Sequence, residues 1–285
     1  MTTADQLRRH YDQPPELFAL FLDREFMAYS AGRWQPGDVL EQAQARNLRA
    51  IASALAMTPR SAILDVGCGW GALAKHCART IGTERYVGLT PSPVQIAHVA
   101  GCLGGRGELH ETLWQDYACA PGRFDAVAAL ESIEHFGAPG GRRTGRAIEE
   151  YRRFFAFSAA CSTPSAKLYV QTSAARRMPR TRSELVDVRF LLEDVFYGSR
   201  LADIGLIEEA SAGIYAADDL SWGAEDYLAT LRAWHERLVR ESEVCIKTFG
   251  SESYAFFDRY FSSCIRLFEG GVVDLLRAVY VKRPA

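Results

Sequence analysis

The sequence predicts an α/β fold built on a doubly wound, mostly parallel sheet, and three observations carry that expectation. An apolar run, Ala62-Ile63-Leu64-Asp65-Val66, ends in the alternating glycines Gly67, Gly69 and Gly71 and passes into a helical pattern from Ala72. From there, apolar runs of strand length alternate with segments of helical periodicity, the signature of a parallel sheet covered by helices. Polar residues gather at the carboxyl ends of those runs, where open α/β sheets bind their ligands.

Residues 4–56 place Leu17, Phe18, Leu20 and Phe21, and later Leu48, Ile51, Ala52 and Leu55, at helical spacing, and read as an N-terminal helical cap. Within it, Gly32, Pro36 and Gly37 break the pattern, and Asp38 with Glu41 reads as the start of the next helix. At the glycine turn the backbone can adopt positive φ and approach a ligand closely. A helix from about Ala72 to Thr80 leads to a second strand, Arg85 to Leu89, after which Ser92 caps a helix holding Pro93 in its first turn. Glu108 to Trp114 reads as a third strand, followed by Gln115, Asp116 and Tyr117. Phe124 to Leu130 reads as a fourth, followed by Glu131, Ser132, Ile133, Glu134 and His135, and Lys167 to Gln171 as a fifth, followed by Thr172 and Ser173.

A helix over Ser183 to Asp194, a strand near Ile207 to Ser211, a helical insertion from about Ser221 to Glu269 and a last strand over Val272 to Val281 complete a seven-stranded sheet. The expected division of one domain is a cap at 1–57, a core at 58–215, a helical lid at 216–270 and the last strand at 271–285. Trp222, Tyr227, Trp234, Phe249 and Phe256 in the insertion suit a lid over an apolar substrate, and suit ordinary helix packing equally well.

The 285 residues, 48% hydrophobic, suffice for a full core. A net charge of −2 with both signs interspersed gives no general attraction to nucleic acid, and no nucleic-acid partner is expected. No apolar stretch approaches the ~20 residues that span a bilayer, and the first residues lack a signal-like apolar region, so the expectation is a cytoplasmic protein without stable membrane insertion. Seven cysteines, with no Cys-x-x-Cys pair and no cysteine–histidine cluster in zinc spacing, read as reduced thiols, and no metal is expected. Arg142, Arg143, Arg146, Arg152 and Arg153 form one basic cluster, and Arg176, Arg177, Arg180 and Arg182 another. Such clusters are usually solvated faces, but the second, at the carboxyl edge, also suits a substrate with a phosphate or carrier-protein handle.

Several segments together resemble the cyclopropane fatty acid and mycolic acid synthase family: HYDQPPELFALFLD (10–23), YSAGRW (29–34), ILDVGCGWGALAKH (63–76), VGLTPSPVQ (87–95), WQDY (114–117), ESIEHFG (131–137) and YLATLRAW (227–234). The resemblance implies the class I (Rossmann-like) methyltransferase fold, S-adenosylmethionine as cofactor, S-adenosylhomocysteine as product, and helical segments closing over the site. It further implies that backbone at Gly67, Cys68 and Gly69 passes the methionine and ribose of the cofactor while Asp65 fixes the loop or reaches the amino group. Thr90 stands where many doubly wound folds place an acid for ribose hydroxyls, so Gln95 takes that role. Asp116 would accept from the adenine amino group, Gln115 would flank the ring, and Tyr29 and Ser30 would contact the cofactor from the cap.

In the cyclopropane-forming members an alkene takes the methyl, and the resulting cation loses a proton as the ring closes, with bicarbonate held by a Cys, Glu, His and Tyr set as base. Here the Cys position is Ala31 and the His position is Gln171, while Glu134 and Tyr227 remain. Loss of two donors argues against bicarbonate. A carboxylate with a raised pKa in an apolar pocket can serve directly, which points to Glu134 as base, with Tyr227 orienting it or stabilising a cation with its ring face. Glu131 is a second candidate base, and His135 either a base or a cap of the following turn. The expected activity is C-methylation of an alkene or electron-rich carbon in a small apolar metabolite of specialised (natural product) biosynthesis. The rivals are a cyclopropane synthase acting on a lipid or carrier-bound acyl chain, an N- or O-methyltransferase, and a catalytically silent cofactor-binding scaffold.

Overall fold

The first two strands of the sheet, β1 (Ile63–Val66) and β2 (Tyr86–Thr90), are buried along their whole length. A strand with no exposed face needs helices on both sides, the usual setting of parallel strands. In the computed structural model, which describes residues 3–136, 146–196 and 199–284, these strands join β3 (Glu108–Glu111), β4 (Phe124–Leu130), β5 (Ser162–Ala175), β6 (Tyr215–Trp222) and β7 (Val273–Lys282). The order is β3-β2-β1-β4-β5-β7-β6, parallel from β3 through β5, with β7 antiparallel to both its neighbours. The mostly parallel seven-stranded sheet is the one the sequence predicts.

On one face, α3 (Leu40–Ala54), α4 (Ala72–His76) and α5 (Pro93–Leu103) bring Leu48, Ile51, Leu73 and Val99 against Ile63, Tyr86 and Ala126. On the other, α6 (Arg146–Cys161) and α8 (Ile204–Ser211) bring Phe154, Phe155, Ile207 and Ala210 against Leu64, Val87 and Val127. Above the carboxyl ends lie α1 (Ala4–Tyr11), α2 (Pro15–Ala19), α7 (Arg182–Phe190), α9 (Ala224–Arg240), α10 (Ser242–Phe249) and α11 (Ser251–Glu269). There Leu17, Phe18 and Phe21 of the cap share one apolar core with Trp234, Phe257, Phe261 and Leu267 of the lid. Hydrogen bonds reinforce the join: Gly32 N donates to Thr230 Oγ1 at 3.0 Å, Trp34 N to Asp226 Oδ1 at 2.8 Å, and Arg237 to the Glu41 carboxylate at 2.7 Å.

The structure departs from the sequence reading in several places. The strand expected near Ile207 to Ser211 is α8, because Asp203 Oδ1 accepts from Gly205 N and Leu206 N and so caps a helix. The buried positions Ile207, Ala210 and Ser211 then follow helical spacing while Glu208 and Glu209 face solvent. The sixth strand is instead β6, which occupies the first residues of the stretch expected as lid, and the lid helices begin at Ala224. Residues 20–39 are not helical, β3 ends at Glu111, and Asp38 accepts from Gln35 N and pairs with Arg46 while α3 starts at Leu40. Arg142, Arg143 and the side chain of Arg146 lie outside the described residues, and Arg152 and Arg153 pair with Glu209 and Glu150. All seven cysteines are free thiols, five of them buried. Among the described residues no helix is long and apolar enough to cross a membrane.

Phe261 is fully buried where Phe21 of the cap meets Trp234, Phe257 and Tyr260 of the lid. Phe261→Ala is therefore expected to lower the unfolding free energy by ~3–5 kcal/mol in urea denaturation, as for other fully buried aromatics. A loss below ~1 kcal/mol would show that cap and lid do not stabilise each other through this core.

Candidate active site

The strand order reverses between β1 and β4, and the glycine turn lies at that switch point. Gly67 and Gly69 take φ of +84° and +52°. The N–H groups of Gly67 and Cys68 both donate to Leu89 O at 2.9 Å, which folds the turn back onto β2. A Cβ on Gly67 would come within 2.7 Å of Ser132 Cβ, whereas one on Gly69 would meet no atom within 4 Å and would stand in open space. That space is a cavity of about 750 Å³ lined by Gly67, Gly69, Thr90, Ser92, Gln95 and the segment Thr112 to Trp114. Ser92 caps α5 by accepting from Gln95 N, and Thr90 Oγ1 donates to Gln95 Oε1 at 2.7 Å, so the Gln95 side chain is fixed in the wall.

A second cavity of about 820 Å³ lies under the lid, lined mainly by apolar groups of Val188, Leu191, Phe196, Leu231, Tyr260, Leu267 and Phe268. Its polar lining includes Glu131, Glu134, His135, Ser173, Ser199 and Arg200, with the hydroxyls of Tyr11, Tyr29, Tyr227 and Tyr260. The two cavities share Tyr11, Tyr29, Glu131 and His135. A ligand in one therefore meets a ligand in the other across these side chains.

Glu131 follows β4 with a φ of +52°, a strained value for a side-chain-bearing residue. Its N–H donates to Gln171 O at 2.7 Å, which holds it there. Its carboxylate accepts from Gln171 Nε2 at 3.2 Å and Ser173 Oγ at 3.4 Å. Glu134, on the short helical turn Ile133–His135, accepts from Ser173 N at 2.6 Å through Oε1, and its Oε2 is buried without a partner. The two buried carboxyl groups are close enough for each to perturb the other. Burial, and then the charge of Glu131, push Glu134 well above the usual carboxylate range. Burial also raises Glu131, opposed by its bonds to Glu134 and Gln171 and by the charge of Arg277. Two like charges in one apolar cavity are unfavourable, so the pair resists carrying both charges at once.

Arg277 on β7 is almost fully buried and reaches this pair indirectly. Its Nε donates to Gln171 Oε1 at 3.1 Å, one terminal nitrogen pairs with Asp226 on α9 at 2.6 Å, and the other donates to Gly32 O at 2.7 Å. Gln171, whose Nε2 also donates to Ala31 O at 3.2 Å, thus joins the cap loop, the lid and the carboxyl pair. This donor set does not fit bicarbonate: the Gln171 amide is engaged by Glu131 and Ala31, and an added anion would face the carboxyl pair.

The structure gathers Glu131, Glu134, His135, Tyr227 and Tyr29 at the lid cavity, and Gly67, Gly69, Thr90 and Gln95 at the glycine-turn cavity. Among the described residues His135 bonds side chains and caps no turn: its Nδ1 lies 2.6 Å from Ser199 Oγ and its Nε2 3.1 Å from Tyr11 Oη, and burial lowers its pKa to about 4, so the ring is neutral. Tyr227 packs edge-on to Phe268 and Trp234. The other expected cofactor contacts stand back from the cavity walls. Asp65 is buried behind the turn, bonded by Tyr86 Oη at 2.7 Å and raised by burial to about 7. The Cys68 thiol lies in the core, Sγ being 3.0 Å from where a Cβ on Gly88 would sit, so only its backbone is available. Ser30 is buried, its carbonyl accepting from Gln44 Nε2 at 2.7 Å. Asp116 is exposed, and Thr112, Leu113 and Trp114 line the wall in place of Gln115 and Asp116. Sequence reasoning missed Tyr11, Ser199 and Arg277. The signal for Arg277 was a lone arginine inside the apolar run VVDLLRAVYV.

This sheet order, with a glycine turn at the switch point and a lidded cavity above the carboxyl ends, defines a class I S-adenosylmethionine-dependent methyltransferase. The chain belongs to the mycolic acid cyclopropane synthetase family, whose model matches residues 1–278. It is 30% identical to the methoxy mycolic acid synthase MmaA3 of Mycobacterium tuberculosis, over 96% of this chain and 93% of that protein. It is 27% identical to the cyclopropane-fatty-acyl-phospholipid synthase of Escherichia coli, over 96% of this chain and 66% of that protein. Among solved structures, the cyclopropane synthase MmaA2 from Mycobacterium tuberculosis superposes with a TM-score of 0.88 at 25% identity, covering 99% of each chain. S-adenosylmethionine is the cofactor, and the glycine-turn cavity has the open backbone and fixed polar wall to receive it.

Two outcomes test this site. Gly69→Val would fill the cavity, and is expected to weaken S-adenosylhomocysteine binding at least ~tenfold, about 1.4 kcal/mol, in calorimetric titration. Unchanged affinity would put the cofactor elsewhere. Because the folded-state pKa of Glu134 lies above its ordinary 4.5, folding retains its proton; that stabilisation is complete below the unfolded value and is lost as pH rises through the folded one. Glu134→Gln is therefore expected to melt at a higher temperature than the parent protein at pH 8, with the gap closing toward pH 4. A gap independent of pH would contradict the raised pKa.

Proposed function

We propose that the protein transfers the methyl of S-adenosylmethionine to a double bond in the acyl chain of a lipid and closes a cyclopropane ring, with the Glu131–Glu134 pair taking the proton. One observation supports this above the others: of a buried carboxyl pair, Glu131 stands in the wall common to the cofactor and lid cavities, and Glu134 faces the lid cavity with an unpartnered oxygen, Oε2. The pair can enter the reaction with one proton and leave with two, so no external base is needed. Glu131 supplies a carboxylate beside Ala31 and Gln171, the positions whose altered residues had argued against ring closure.

The substrate class is drawn from relatives named for cyclopropane-fatty-acyl-phospholipid and mycolic acid synthesis, and from an apolar cavity that suits a chain more than a polar head. It replaces the small metabolite expected from the sequence. When bound, the cofactor supplies an electrophilic methyl. The chain's own residues supply the rest. Gly67, Gly69, Thr90 and Gln95 would hold the cofactor, with Asp65 buried behind the turn. Leu191, Leu231, Leu267 and Phe268 exclude water that would quench a carbocation, and the rings of Tyr11, Tyr29 and Tyr227 would stabilise positive charge beside the double bond.

The test is incubation with S-adenosylmethionine and detergent-dispersed phospholipid bearing cis-monounsaturated chains, read by mass spectrometry of the released fatty acids. The expected product is a cyclopropane chain; no conversion of any acyl lipid would overturn the reading. Glu131→Gln and Glu134→Gln are each expected to lower turnover by ~10²–10⁴-fold, the usual worth of a positioned base, while S-adenosylhomocysteine still binds. Full turnover in both variants would remove the pair from the chemistry.

A further inference from the structure

Helix α7 has two unlike faces. Val188, near its end, and Leu191, just beyond it, line the lid cavity, and Asp187 is buried against Arg266 and Ser263 of α11. The opposite face carries Arg182, Leu185, Val186 and Arg189, spaced i, i+3, i+4, i+7, and all are exposed. Leu185 and Val186 are 55% and 51% accessible, among the most exposed large apolar side chains described.

The loop before α7 enlarges this face. Arg177 pairs with Glu184 at 2.6 Å and donates to Met178 O at 3.1 Å and Gly270 O at 2.6 Å, while Arg180 N donates to Glu184 Oε2 at 2.6 Å. The loop is thereby wrapped onto the first turn of α7, which holds the segment with Met178, 80% accessible, and Arg180 at the start of that helix. Arg177 is thus a structural residue rather than a grip for a phosphate. Arg176 is engaged as well, over the Trp222 ring and near Asp274. Arg180 and Arg182 differ: both are exposed and neither pairs with an acid among the described residues. They sit at the positive end of the helix dipole, where a cation is disfavoured unless an outside anion offsets it.

We propose that this face, Met178, Leu185 and Val186 with Arg180 and Arg182, docks on an anionic lipid surface and sets the mouth of the lid cavity against the bilayer. Apolar side chains flanked by unpaired arginines are what an interfacial helix presents to acidic headgroups. The occupant follows from that charge complementarity and from α7 itself, whose inner face lines the cavity an acyl chain would enter. Docking of this kind is peripheral and needs no membrane insertion, the face being made from a nine-residue helix and its wrapped loop. The inference rests on the lipid reading of the site, and its test is independent of turnover.

The full-length protein is sedimented with vesicles of saturated phosphatidylcholine containing or lacking saturated phosphatidylglycerol, at low and high salt. Binding is expected to anionic vesicles, to fall in high salt, and to be weak on phosphatidylcholine alone. Leu185→Ser with Val186→Ser, and separately Arg180→Glu with Arg182→Glu, are each expected to weaken vesicle binding roughly tenfold or more. S-adenosylhomocysteine affinity and turnover of detergent-dispersed lipid should be unchanged in both. Equal vesicle binding by parent and variants would overturn the proposal. So would absence of vesicle binding combined with capture of an acidic acyl-carrier protein, or self-association through this face. Because the saturated vesicles contain no substrate, failure here leaves the turnover result intact, and failure of turnover does not by itself abolish docking.

Discussion

Two carboxyl groups in one apolar cavity cannot both hold a charge cheaply, and much of the site is arranged around that constraint. Glu131 is kept at a left-handed backbone angle by its bond to Gln171 O, which brings its carboxylate against Glu134. Ser173 donates to both acids, through its N–H to Glu134 and its hydroxyl to Glu131. The result is a pair that resists a double charge, with Glu131 standing where the two cavities meet. His135 is neutral there, and thus adds no positive charge that would drive the pair to lose its last proton.

The pair also explains the wiring of the cap and lid. Arg277 links Gln171 to Asp226 on α9 and to Gly32 in the cap loop, and Asp226 in turn accepts from Trp34 N. A buried arginine leaves its charge uncompensated unless the lid helix is in place, since breaking a buried ion pair costs ~3–5 kcal/mol. The seating of the lid helix, the compensation of the Arg277 charge and the alignment of Gln171 toward Glu131 therefore depend on one another. The aromatic core of Phe18, Phe21, Trp234, Phe257 and Phe261 supplies the apolar side of the same closure.

The parallel core was legible because its signals are local. An apolar run with no polar alternation, a glycine turn and a Ser-Pro cap each specify a conformation within a few residues. The fold also placed Glu134, Glu131, His135 and Tyr227 together, as expected from their positions at strand ends and on the lid. Less legible were features that depend on distant partners. The pattern over residues 207–211 was apolar enough for a strand, and the cap from Asp203 decided for a helix. Arg277 sits in a strand that reads as apolar, and only its partners on β5, α9 and the cap loop give it a role. Gln171 looked like the loss of a donor, yet its amide bonds Glu131 from the strand end where a histidine was missing. Asp116, read as a cofactor contact, is exposed because β3 ends three residues earlier than its pattern suggested.

The claim that an internal carboxyl pair removes a proton after methyl transfer is tested most directly with S-adenosylmethionine carrying a fully deuterated methyl. The account predicts an acyl product that retains two of the three deuterium atoms, the third having passed to the Glu131–Glu134 pair. A product that retains all three would contradict it, because the methyl would then have arrived without being deprotonated.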